Sequence, residues 1–164
     1  MQSISAESFG QNQVTLGCFE VGGRVFAIDV ICVREVVRWQ PVTPLPKAPA
    51  LIEGVIDLRG AVVPVVDLGR ALGGDPVKVG NYTRIAVAEV EGLVLGLIVD
   101  SAIEVLPVDV TAMEDPPSLV TQAGCDATRA IVRRPDAEPI LVLSLEHLLE
   151  SIYRSSLPSK EEIQ

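Results

Sequence analysis

Aromatic, histidine, cysteine and basic residues are all scarce in this chain, and each shortage closes off a class of function. Aromatics make up 4% of the 164 residues, so a core has to be assembled from Val, Ile, Leu and Ala. The single histidine, His147, would have to serve any Ser-His-Asp or Cys-His site, and no nucleophile motif points to it; it reads as a helix-surface residue. Cys18, Cys32 and Cys125 are odd in number and scattered, which suits reduced thiols in a cytosolic protein better than a disulfide frame. No Cys, His or carboxylate cluster has zinc-ligand spacing, and no Gly-rich loop precedes a Lys-Ser or Lys-Thr pair. With 13 Lys and Arg against 22 Asp and Glu, the net charge of −9 argues against nucleic-acid binding and against docking on an anionic membrane. Apolar runs such as Leu93 to Val99 fall short of the ~20 residues of a membrane span, and Met1 to Gln13 lacks the basic and apolar regions of a secretory signal. No catalytic residue, metal or cofactor is expected.

What the chain does have is apolar residues, 48% of the total, in short runs separated by turn signals, which is the pattern of strands. Four hairpins are expected. They turn at Gly22-Gly23, Arg59-Gly60, Glu91-Gly92 and Pro135-Asp136. Pro64 and Pro139, inside apolar strands, should sit at edges or bulges. The best helix runs from Leu145 to about Arg154, with Ser144 as N-cap and Leu145, Leu148, Leu149 and Ile152 on one face.

The strands repeat. Phe26-Ala27-Ile28 through Val33-Arg34-Glu35-Val36-Val37 echoes Leu95-Gly96-Leu97 through Ala102-Ile103-Glu104-Val105-Leu106, with Glu104 lying 69 residues after Glu35. Gly54-Val55-Ile56 and Val66 to Leu72 echo Ala130-Ile131-Val132 and Leu143 to Leu149, offset by 76 to 77. Two copies of one element order imply an all-β chain of two similar small barrels. The expected division is a tail over 1–13, barrel one over about 14–82, barrel two over about 83–143, a helix over about 145–154 and a tail over 155–164.

One enzyme reading deserves weighing. Val65-Val66-Asp67-Leu68-Gly69 resembles the aspartic-protease turn, but the repeat sets Asp67 opposite Ser144, so no second carboxylate is placed to share a proton. Asp67 reads better as the cap of a short helical turn from Leu68 to Leu72.

The polar residues set into apolar strands carry the functional reading. Glu35 lies within Val33-Arg34-Glu35-Val36-Val37, and Arg59 at the tip of Gly54-Val55-Ile56-Asp57-Leu58-Arg59-Gly60. Ala61-Val62-Val63-Pro64-Val65-Val66-Asp67-Leu68 follows. This stretch resembles the CheW-like family of bacterial chemotaxis coupling proteins, whose signature is Gly-Val-x-Asn-Leu-Arg-Gly followed by apolar-Pro-apolar-apolar-Asp-Leu. The resemblance extends from about Leu16 to Ile152. It implies two five-stranded SH3-like β-barrels and no catalysis. It also implies a cytoplasmic adaptor, recruited to the inner membrane face through receptors, that binds both a chemoreceptor hairpin tip and the regulatory domain of a CheA-type histidine kinase. Carried over by position, Val33, Glu35, Gly54, Arg59 and Val105 match the receptor-coupling region, with a Glu35–Arg59 ion pair expected. Asp57 stands where the family has Asn and is expected to compete with Glu35 for Arg59; Ala102 replaces a larger groove residue. Two alternatives stay open: an adaptor of a non-swimming pathway (pilus motility or second-messenger control), or a stand-alone barrel binding a small ligand or peptide.

Overall fold

The structure is a computed structural model and describes residues 12–117 and 127–155. Among these residues eleven strands run in chain order: β1 (Gln13–Val21), β2 (Arg24–Asp29), β3 (Val33–Arg38), β4 (Ile52–Leu58), β5 (Ala61–Asp67), β6 (Arg84–Val90), β7 (Leu93–Val99), β8 (Ser101–Asp109), β9 (Met113–Glu114), β10 (Thr128–Arg134) and β11 (Ala137–Leu143). Two helices, α1 (Leu68–Ala71) and α2 (Leu145–Ser155), follow β5 and β11. All four expected hairpins form. Three of them turn through two residues of positive φ: Gly22 and Gly23 (59° and 80°), Arg59 and Gly60 (51° and 87°), and Glu91 and Gly92 (52° and 78°). That backbone twist matches the right-handed twist of the flanking strands. Pro135 cannot take such a φ, and that hairpin carries a bulge instead: two residues, Glu138 and Pro139, oppose Arg133 alone. This extra residue explains why the repeat offset grows from 76 to 77.

The strands form two sheets, ordered β8-β1-β2-β11-β10-β9 and β3-β6-β7-β5-β4. The second sheet is built from one continuous segment, residues 33–99, and is called here the inserted barrel. The first combines 13–29 with 101–143 and is called the split barrel. The division expected at 82/83 therefore separates the two repeats but not the two barrels. Each repeat gives its first hairpin to one barrel and its remaining strands to the other, because the chain changes sheets inside each copy, at the 3-10 turn Val30–Cys32 and at Asp100. The repeats agree down to their irregularities. The parallel pairings β2–β11 and β7–β5 correspond. So do the bulges at Arg34 and Ile103, and those at Glu53 and Arg129.

This exchange accounts for the strand sequences. Ile85 and Val87 point into the inserted barrel with Ile56, Val63 and Val65, while Ala86, Ala88 and Val90 point the other way. There they meet Phe19, Val21, Phe26 and Ile28 of the split barrel together with Leu145, Leu148 and Ile152 of α2. Leu16, Cys18, Ala27, Ile140 and Val142 fill the split barrel itself. Strands buried on both faces read as unbroken apolar runs, as β7 does. The inter-barrel core draws on strands of both barrels, and its aromatic bulk is Phe19 and Phe26.

Of the expected tails, only Asn12, Gln13 and Ser155 fall within the described residues; Cys125 lies outside them. Among the described residues no helix is long and apolar enough to cross a membrane.

Candidate functional site

The candidate residues gather in two neighbouring places joined by β3. Half-buried and exposed residues alternate along β3, and the bulge at Arg34 changes the face: Val33, opposite Ala88, packs on the inter-barrel core, whereas Glu35 and Val37, opposite Val87 and Ile85, face the inserted barrel. An inward carboxylate needs a partner, and Glu35 has one in the guanidinium of Arg59. The pair has a structural consequence. β3 and β4 lie at opposite ends of the inserted barrel's strand order, so Glu35 and Arg59 span the seam where that sheet closes on itself. Val37, Trp39 and Val42 on one side pack with Ile56 and Leu58 on the other across the same seam.

Gly54 belongs to this seam. The chain between β3 and β4 crosses over it through the Thr43–Val55 bridge, and Gly54 adopts φ 154°. A Cβ there would stand 2.2 Å from the Thr43 carbonyl oxygen. The equivalent position in the other repeat is Ala130, where no such φ occurs.

Asp57 departs from expectation. Its Oδ1 accepts the Gly60 N–H at 2.8 Å, and Gln40 Nε2 donates to its carbonyl oxygen at 3.4 Å. The expected competition with Glu35 rested on strand alternation between positions 57 and 59. Arg59 has left the strand, at φ 51°, so alternation does not reach it. Asp57 fastens the turn that presents Arg59. Hydrogen bonding and the charge of Glu35 raise the Arg59 guanidinium further above its ordinary value, and 70% of the Arg59 side chain remains exposed.

The second place is a groove between the barrels. Val105 on β8 lies directly opposite Gly17 on β1, and Ala102 opposite Phe19; cross-strand partners share a face. Val33 Cγ2 of the inserted barrel stands 3.8 Å from where a Gly17 Cβ would be. With the Phe19 ring 3.7 Å from the same point, Gly17 lets Val33 and Phe19 close up to β1 between the barrels, beside Val105 and Ala102 on the same face. Val105 is 64% exposed.

Sequence reasoning missed Gly17, Gln40 and the ion pair of Arg70 with Glu53. Gly17 carries no motif; its role follows only from a neighbour on another barrel. The remaining polar groups are structural. Asp67, 6% exposed, accepts the N–H groups of Arg70 at 3.1 Å and Val77 at 3.0 Å, and Asp100 accepts that of Gly22 at 2.7 Å. His147 is exposed on α2. Among the described residues no three His, Cys, Asp or Glu could hold a metal together.

Two fused SH3-like barrels, with an apolar groove between them and an ion-paired seam beside it, define a scaffolding module. Residues 15–153 match the CheW-like domain family. The chain is 34% identical over 146 residues to the probable chemotaxis protein CheW of Rhizobium etli, covering 89% of this chain and 94% of that one. It is 39% identical over 114 residues to the chemotaxis protein CheW of Rhizobium meliloti, covering 70% and 74%. The crystal structure of the scaffolding protein TtCheW from Thermoanaerobacter tengcongensis superposes with a TM-score of 0.74 at 32% identity, covering 82% and 86% of the two chains. This chain belongs to the CheW-like family and is a chemotaxis-type signal-transduction adaptor.

Proposed function

We propose that the protein couples methyl-accepting chemoreceptors to a CheA-type histidine kinase by binding both at once, in the cytoplasm beneath the receptors. The receptor's hairpin tip lies in the groove over Gly17, against Val33, Ala102 and Val105. The Glu35–Arg59 pair, braced by Gly54 and Asp57, holds β3 in position and presents Arg59 at the groove's edge. The kinase's regulatory domain docks on a barrel end, leaving the groove open. The observation that carries this reading is the exposed apolar wall at Val105 facing Val33 across a glycine, because exposed apolar surface rimmed by polar groups marks an interaction site. Signal transfer is then a coupling free energy between two occupied surfaces.

The test is titration of the purified chain with a receptor-tip fragment and, separately, with the regulatory domain of each CheA-type kinase from its own organism. Val105→Arg is expected to weaken receptor binding roughly tenfold or more while leaving kinase binding unchanged. Arg59→Ala is expected to keep the circular dichroism spectrum and to lose receptor affinity. Unaltered receptor binding in both folded variants would sink the groove assignment, and failure to bind any of the kinases would sink the coupling role.

A further inference from the structure

The repeat creates two equivalent clefts, and they are filled differently. Each lies between the helix that follows the parallel strand of one barrel and the first hairpin turn of the other. One is lined by Glu91, Leu93, Ile52 and the α2 residues Leu149, Glu150 and Ile152. Their counterparts at the repeat offsets, Gly22, Arg24, Thr128, Leu72, Gly73 and Asp75, all line the second.

The difference is helix length. α2 runs for 11 residues, whereas α1 ends after four. There the chain turns back at Gly73-Gly74: Gly74 N–H donates to the Gly69 carbonyl at 2.9 Å, and Val77 N–H to Asp67 at 3.0 Å. Among the described residues the later turns of α2 have no counterpart over the β1–β2 turn. What stands there is a cavity of about 880 Å³, against about 550 Å³ beside α2. Its floor is apolar, with Val21, Phe26, Leu72 and Leu141.

Its rim carries Arg24, at the position Leu93 holds in the other cleft, and Lys78. Both are exposed, and neither side chain has a hydrogen bond or ion pair among the described residues. Asp100 is committed to the Gly22 amide, which leaves Asp75 as the one other charge lining the cavity among the described residues.

The chain itself shows what suits such a cleft. In the other copy the covering element is an amphipathic helix that buries Leu148 and Ile152 and turns Glu146 and Glu150 toward the opening. We infer that the cleft beside α1 is a docking site for an acidic amphipathic helix of a partner protein. An apolar stripe spaced i, i+3/i+4 covers the floor, and flanking carboxylates meet Arg24 and Lys78. Gly22, just past the end of β1, lies five residues from Gly17, ~17 Å at strand rise, so this site and the inter-barrel groove can be occupied together.

The probe is a capped peptide of residues 144–155, which has the required stripe and acidic flank, titrated into the full ¹⁵N-labelled chain. Saturable shifts are expected at the amides of Gly22, Arg24, Gly73 and Gly74. Binding should weaken roughly tenfold or more in the double variant R24E/K78E, whose fold the same spectrum checks. Four results overturn the inference: no saturable shift at millimolar peptide, equal binding of a scrambled peptide, shifts confined to the cleft beside α2, or undiminished binding by the folded double variant. Saturable binding of dodecanoate with none of the peptide overturns it too, as the mark of a small-amphiphile site.

Discussion

Cys18 illustrates how environment sets chemistry at the scale of one residue. Burial inside the split barrel, reinforced by the Glu104 carboxylate across the strand and opposed by Arg134, pushes its thiol up to about 11. A thiol is neutral while protonated, so the folded state keeps the proton after the unfolded chain has released it. Stability is therefore intact below about pH 9 and falls as pH rises toward 11, by about 2–3 kcal/mol from this group. Urea titrations of the native chain and of Cys18→Ala at pH 8 and pH 10.5 should show the alkaline loss shrink in the variant; equal losses would assign it to other groups. At the same scale, Glu35 and Arg59 were legible because a carboxylate on the apolar face of a strand demands a partner. Asp57 was misjudged because one positive φ at Arg59 ends the alternation by which faces are counted.

Elements were readable where local chemistry decides them. The two-residue turns at 22–23, 59–60, 91–92 and 135–136 fixed the hairpins, and Ser144 and Asp67 marked the helix starts. The crossing of residues 42–43 over Gly54 is a tertiary contact, and no local signal announces it. It makes Gly54→Ala severe: the Cβ collides with backbone, and φ 154° disfavours any side chain. A loss of about 3 kcal/mol or more is expected in urea unfolding, whereas a loss below about 1 kcal/mol would mean that the Thr43 segment moves aside freely. Asp67→Ala removes the acceptor for two amide groups at the end of β5. The expected cost is about 1–3 kcal/mol by the same measurement, and hydrogen exchange should quicken at Arg70 and Val77. Unchanged protection at both amides would count against the cap.

For the whole molecule, the sequence disclosed the repeat but not the exchange. The same strand order results whether each copy closes its own barrel or lends its hairpin to the other, and what decides is the inter-barrel packing of β1, β2, β6 and β7. A cut between residues 82 and 83 leaves every barrel incomplete in both pieces. Residues 1–82 and 83–164, made separately, are expected to lack cooperative unfolding; mixed, they should recover the strand signal and elute as one complex. Either piece folding alone as a monomer would contradict the exchange.

That exchange bears on ancestry. With the exchange retained, a single copy of the repeat would complete its barrels by trading hairpins with a second identical copy, as a homodimer with every surface present twice. With both copies in one chain that obligation is absent, and each half is free to differ from its twin. Gly17 against Ala86, Arg24 against Leu93, and one helical turn against three record the divergence. A body built from one unit used twice thus has unlike faces, the condition for holding two different molecules at once.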